Sequence, residues 1–226
     1  MPEKRYAVAV DGPSGAGKST LAKALAAKLN ILYVDTGAIY RTIGCAVKRR
    51  GIEPRDEAAV GALLPELHIA MRYEADGLQH MLLNGEDVTA DIRLPEISMY
   101  ASAVSALPAV RAYLLEMQRD MARQHSVIMD GRDIGTVVLP EAEVKIFLTA
   151  SSEVRAKRRC LELEQRGTPK PYGEVLRELV ERDNNDSHRA IAPLKPAEDA
   201  VIVDTSALDF AQSEQALEKI IRERVQ

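Results

Sequence analysis

Apolar residues along this chain alternate between short runs and helical spacings, and that alternation predicts an α/β architecture. Tyr6-Ala-Val-Ala-Val10 is an apolar run closed by Asp11-Gly12-Pro13, the pattern of a strand buried on both faces. Ser19 to Leu29 then carries apolar side chains at Leu21, Ala24, Leu25 and Leu29, a helical spacing. Ile31 to Val34 is a second run, ending in the turn signal Asp35-Thr36-Gly37. Strand, glycine loop, helix and strand make a βαβ unit, which implies parallel strands and a right-handed crossover. Ala38 to Arg50 continues as a helix that Gly51 closes from the C-cap position.

The texture changes between Asp56 and Asp91. A helix through Leu64 precedes His68 to Asn84, where Ile69, Met71 and Tyr73 alternate with Ala70 and Arg72. Ala75-Asp76-Gly77 supplies a hairpin signal there, so this stretch is predicted to be a small β-rich insertion. Pro95 opens a helix, and Pro108 interrupts the pattern before Val110 to Gln124 resumes it. Val127 to Met129 and Val144 to Leu148 are further buried strands. Glu153 to Gln165 and Tyr172 to Arg189 are charged helices around Gly167-Thr-Pro169. Val201 to Val203 is the last strand, and a helix follows from about Ala211. Together these elements predict a doubly wound parallel sheet.

Composition narrows the reading. A chain of 226 residues suits one compact unit, and 46% hydrophobic with 28% charged residues is the mix of an ordinary globular protein. A net charge of -4 argues against a general nucleic-acid binder. Cys45 and Cys160 lie far apart with no Cys or His at ligand spacing, which supports neither a zinc site nor a disulfide. The first apolar run is too short for a signal peptide and nothing approaches a membrane span, so a cytoplasmic protein without a membrane partner is expected.

The chemistry concentrates in Gly12-Pro13-Ser14-Gly15-Ala16-Gly17-Lys18-Ser19, a complete G-x-x-x-x-G-K-[ST] pattern between a predicted strand and a predicted helix. Such a loop curls backbone N–H groups around phosphates at a positive helix end. Lys18 can reach the β- and γ-phosphates of a nucleotide, and the Ser19 hydroxyl can ligate Mg²⁺. No [NT]-K-x-D segment for reading guanine follows. Asp35-Thr-Gly-Ala-Ile-Tyr-Arg41 and Asp130-Gly-Arg-Asp-Ile-Gly135 both sit at carboxyl ends of predicted strands, where doubly wound sheets bind ligands. Arg41 and Arg132 could fork onto one phosphate of a second substrate, although Arg132-Asp133 alone would also suit a loop ion pair. Arg155, Arg158 and Arg159 share a helical face, with Arg166 three turns on, and Glu181 to Arg189 adds more arginine. This points to a lid over ATP, or otherwise to a solvated or polyanion-binding face.

With GPSGAGKST, DTGAIYR, DGRDIGTVV, VKIFLTASSEVRAKRR and ERDNNDSHRAIAPL, the sequence resembles bacterial cytidylate kinases of the nucleoside monophosphate kinase superfamily over nearly its whole length. The stretch LLNGEDVTADIR resembles the β-rich portion that separates this family from adenylate kinases. The resemblance implies one P-loop kinase domain, with a core of 1–62, 97–150 and 190–226, an acceptor-binding insertion at 63–96 and a lid at 151–189. It implies transfer from ATP to CMP or dCMP with Mg²⁺, the alternative being a P-loop kinase for another small acceptor such as UMP; a monomer is expected. ATP would be held by Gly12 to Thr20 with Arg155 and Arg159. Arg41, Arg132 and Arg189 would hold the acceptor phosphate, with Lys18, Arg132 and Arg189 catalytic. Thr36, Arg111 and Asp133 would face cytosine, and Ser102, Arg182 and Asp186 the sugar. Relatives carry Ser where this chain has Thr36.

Overall fold

The protein is described by a computed structural model covering residues 5–74 and 79–225. In chain order these residues form β1 (Ala7–Asp11), α1 (Lys18–Leu29), β2 (Leu32–Asp35), α2 (Thr36–Arg49), α3 (Glu57–Leu63), β3 (Ile69–Tyr73), β4 (Gln79–Leu83) and β5 (Glu86–Asp87). They continue as α4 (Pro95–Val104), α5 (Pro108–Gln124), β6 (Val127–Gly131), β7 (Val144–Thr149), α6 (Ser152–Gln165), α7 (Tyr172–His188), β8 (Val201–Asp204) and α8 (Phe210–Val225). The chain divides into two compact units, one of Met1–Tyr33 with His125–Gln226 and one of Val34–Gln124.

The first unit is built on a sheet of order β2-β6-β1-β7-β8, whose edge strand β2 runs on into the second unit. β1 pairs in parallel with β6 and β7, and β7 in parallel with β8. One face of this sheet presents Val8, Val10, Ile128, Val144, Ile146 and Leu148. Leu21 and Leu25 of α1 and Leu217 and Ile221 of α8 pack onto that face, all nearly or wholly buried. Each such side chain contributes roughly 1.5–3 kcal/mol of burial free energy. From β1 the chain runs to β2 on one side, and from β6 it runs to β7 on the other. The crevice of a doubly wound sheet therefore opens at the carboxyl ends of β1 and β6.

Gly12 leaves β1 with φ 146, and a Cβ there would lie 1.9 Å from the Leu148 carbonyl oxygen. Only glycine lets the loop pass this close to β7. A short π-helical turn, Ile134–Val138, follows β6; no periodicity signalled it. The helices α6 and α7 pack on each other around Ala156, Leu163, Val175 and Leu179, a small cluster of their own.

In the second unit, Asp35 caps α2 by accepting from the Ala38 N–H at 2.8 Å. Gly44 lets α2 approach α4, since a Cβ there would lie 2.8 Å from the Ala101 nitrogen. Pro108 is the first residue of α5 rather than a break before it, a position that needs no backbone N–H. β3 and β4 pair antiparallel from Ile69↔Leu83 to Tyr73↔Gln79. The turn signal Ala75-Asp76-Gly77 lies outside the described residues. β5 adds an unexpected third strand to this sheet, reached through Asn84 (φ 51) and Gly85 (φ 86). Asn-Gly is, with Asp-Gly, among the strongest short hairpin signals.

Candidate active site

The loop after β1 winds so that Lys18 is only 5% exposed and its Nζ donates to the Pro13 carbonyl at 2.8 Å. Burial lowers the ammonium's pKa to about 7, and the Arg132 charge pushes the same way against Asp130 and Asp11. An incoming phosphate would reverse that balance. At the start of α1 the Ser19 hydroxyl donates to Asp130 Oδ2 at 2.8 Å, while Tyr33 donates to Oδ1 at 2.8 Å. A serine hydroxyl beside a carboxylate is a hard-oxygen pair that fits Mg²⁺. No group of three His, Cys, Asp or Glu side chains able to hold a metal occurs among the described residues. An ion here would draw its other ligands from phosphate and water, which is the habit of Mg²⁺.

The loop after β6 gathers a second set of charges. Arg132 Nε donates to Asp186 Oδ2 at 2.8 Å, and Arg189 Nη2 to Asp133 Oδ1 at 3.2 Å. Both carboxylates are buried. Burial alone would raise the Asp186 pKa, but the guanidiniums of Arg132, Arg182 and Arg189 outweigh it and hold the carboxyl below its usual range. The first unit thus brings Arg132, Asp133, Arg182, Asp186 and Arg189 into one electrostatic group.

The three arginines of α6 do not form the shared face that their spacing suggested. Arg155 is buried, with Nε on the Ala150 carbonyl and Nη1 on the Ser14 carbonyl, both at 2.9 Å, and it pairs with Asp183 at 2.6 Å. Arg158 turns to Thr205, donating to its carbonyl at 2.8 Å and its hydroxyl at 3.2 Å. Arg159 pairs with Glu162 at 2.7 Å. Long side chains from adjacent positions reach different anchors, so spacing alone does not fix their common target. Between Arg158 and the P-loop lies a cavity of about 260 Å³, lined by Gly17, Thr20, Leu208 and Phe210 among others. No periodicity marks this cavity along the chain, and its one aromatic wall, Phe210, is half exposed.

The second unit holds the remaining expected residues. Asp35 Oδ2 accepts from Arg41 at 2.9 Å and pairs with Arg93 at 3.2 Å. Arg41 Nε is buried and without a hydrogen-bond partner, an orphaned donor suited to an anion. Arg111 is buried, donates to the Ser105 carbonyl at 3.3 Å, and lies 5.8 Å over the Tyr40 ring. Thr36 is buried at the start of α2, and Ser102 is half-buried on α4. Gln79, which nothing in the sequence singled out, exchanges two hydrogen bonds with the Asp35 backbone.

Compared with known proteins, residues 8–224 match the family model for cytidylate kinase. The chain belongs to the cytidylate kinase family. This kinase is 49% identical over 218 residues to the cytidylate kinase of Caldicellulosiruptor bescii, covering 96% of this chain and 95% of that one. To the cytidylate kinase of Geobacter sulfurreducens it is 48% identical, covering 96% and 93%. It is also 44% identical to a bifunctional pantoate ligase/cytidylate kinase of Synechococcus elongatus, covering 98% of this chain and 43% of that longer protein. A solved structure of an uncharacterized protein from Eubacterium ventriosum aligns over 97% of the kinase and 100% of its own chain, with a TM-score of 0.55 at 14% identity. That last likeness shows the fold alone.

One further group of the kinase was not anticipated. Asp11, at the end of β1, is 4% exposed and accepts from the N–H groups of Ile134 and Gly135, each at 2.8 Å. Burial pushes its carboxyl from the ordinary 3.8 up to about 6, with Asp133 adding to the rise and the two N–H groups opposing it. The folded state therefore holds this proton more tightly than the unfolded chain. Its stabilising contribution is complete below about pH 4 and is lost as pH rises through about 6, a difference of about 3 kcal/mol. Between pH 4 and 7, wild type should lose about that much more unfolding free energy than Asp11→Asn in denaturant titrations. Identical pH slopes would contradict the assignment.

Proposed function

We propose that the protein transfers the γ-phosphate of ATP to CMP or dCMP, giving ADP and CDP or dCDP. The observation that carries this reading is the pairing of a nucleotide-phosphate loop with Arg132 and Arg189, each held by a buried carboxylate, in one compact unit. A nucleoside monophosphate oxygen is already ionised near neutral pH, so the reaction needs no strong general base. The obstacle is repulsion between two polyanions, and fixed cations offset it as charge develops on the transferring group.

In this reading Gly12, Pro13, Ser14, Gly15, Ala16, Gly17 and Thr20 wrap the donor phosphates, and Lys18 neutralises them. Arg155, braced on the Ser14 carbonyl, acts with Arg159 on the donor side, and the cavity beside Phe210 takes the donor base. Arg132, Arg189 and Arg41 are each assigned to the acceptor phosphate. Asp133, Thr36 and Arg111 are assigned to cytosine, and Arg182, Asp186 and Ser102 to the sugar. Residues 63–96 would serve acceptor binding, and 151–189 would close as a lid that excludes water.

Mg²⁺, held by Ser19 with Asp130 next to it, would neutralise charge on the phosphates of ATP. Ser19→Ala should lower kcat about tenfold or more and raise the Mg²⁺ concentration needed for half-maximal rate, read by titrating Mg²⁺ at saturating ATP. An unchanged Mg²⁺ requirement would remove Ser19 from the metal.

The arginines of α6 at positions 155, 158 and 159 all have partners within the chain, which counts against a polyanion-binding surface. No helix among the described residues is long and apolar enough to cross a membrane. We place the enzyme in the cytoplasm as a monomer without nucleic-acid partners. The test is ATP labelled at the γ-phosphate: with CMP present the label should move to CDP. Label released as inorganic phosphate at the same rate with and without CMP would make the protein an ATPase instead.

A further inference from the structure

We propose that Asp11 is a positioning residue for the acceptor nucleotide: by capping the turn after β6 from a remote strand, it leaves the Asp133 carboxylate aimed at Arg189 and the acceptor. The inference rests on the function proposed above and adds to it a residue outside every binding motif. Asp11 ends β1, one residue before the P-loop glycine, and lies 123 positions from Ile134 in the loop it holds. Its Oδ1 accepts from the Ile134 N–H and its Oδ2 from the Gly135 N–H, both at 2.8 Å. These are the first two amides of the Ile134–Val138 turn, and helical turns leave such amides without internal partners.

Aspartate is among the side chains best suited to satisfy amides of this kind from the residue just before the turn. Asp133 occupies that position, yet its side chain makes no capping bond. Its Oδ1 accepts instead from Arg189 Nη2 at 3.2 Å. Asp11 takes over the local task, and the carboxylate next in sequence to Arg132 is directed elsewhere. Gly135 leaves the turn uncrowded: a Cβ there would lie 3.2 Å from Lys145 Cδ, which would have to give by a few tenths of an ångström, and 3.4 Å from Asp11 Oδ2, an ordinary contact. The Lys145 ammonium pairs with the largely exposed Asp199 at 2.9 Å, and its aliphatic stem walls the turn.

An asparagine at position 11 keeps one acceptor oxygen and turns an NH₂ toward an N–H, leaving one amide for Asp133 to cap. Asp133 would then swing away from Arg189. Steady-state kinetics of wild type, Asp11→Asn and Gly135→Ala should be measured with CMP, UMP and ATP varied in turn. The expected result is a KM for CMP raised about tenfold or more in both variants, with the KM for ATP changed less than about threefold. The preference for CMP over UMP should fall at the same time, which a general loosening of the fold would not produce. A CMP KM within about twofold of wild type, or equal rises in both KM values, would overturn the proposal. Should Asp11→Asn fail to fold, Gly135→Ala is read by the same criteria, since it crowds the turn beside the Gly135 amide without removing the carboxylate. Failure of wild type to phosphorylate CMP would instead sink the function on which the inference rests.

Discussion

Lys18→Ala is expected to lower kcat by about a hundredfold or more while leaving the protein folded. Lys18 puts a positive charge inside the P-loop, where water does not screen it. Removing one preorganised charge or donor from a transition state typically costs ~3–4 kcal/mol, which is about a hundred- to a thousandfold in rate. The fold has little to lose. The ammonium makes a hydrogen bond to the Pro13 carbonyl, and burial together with Arg132 already lowers its pKa to about 7. Taking the side chain away relieves a desolvated cation, so the melting temperature should hold or rise slightly. The measurements are single-turnover phosphoryl transfer at saturating nucleotides and thermal unfolding of both proteins. A variant keeping most of its kcat would remove Lys18 from the chemistry, and one that loses its fold would make the lysine structural.

Asp133→Asn should cut kcat/KM for CMP by about a hundredfold and leave ATP affinity within a few-fold. A carboxylate accepts from the exocyclic amine of cytosine, whereas uracil offers a carbonyl at that place. Sites built to hydrogen-bond a substrate group discriminate strongly, because the wrong partner leaves buried polar atoms unmatched. Asparagine can turn its NH₂ toward a carbonyl, so UMP should lose much less than CMP or even gain. Arg189 adds to the loss, since its Nη2 gives up an anionic partner 3.2 Å away. ATP affinity read by fluorescence titration separates the two roles. Equal losses for CMP and ATP would mean that Asp133 holds the fold rather than reads the base.

The sequence carried the central sheet clearly because its strands are buried on both faces and read as unbroken apolar runs; β1, for example, is buried throughout. The P-loop was legible for a different reason: its glycines, lysine and serine lie close together in sequence, and their neighbours supply the required strand and helix. The short β5 escaped because two exposed residues, Glu86 and Asp87, carry no period, although Asn84-Gly85 marked the turn into it. Asp11 and Gln79 escaped because their partners lie far away in sequence, at Ile134 and Gly135 and at Asp35. Arginine positions were readable, but their targets were not. Only the folded chain shows that Arg155 braces the Ser14 carbonyl while Arg158 holds Thr205.

The central claim is tested most directly by a coupled ADP-release assay with Mg-ATP, offering CMP, dCMP, UMP, AMP, GMP or no acceptor. Fast turnover with CMP and dCMP, little with the others and none without acceptor is the predicted result. Faster turnover with AMP, GMP or UMP than with CMP, or ADP release that needs no acceptor, would contradict it.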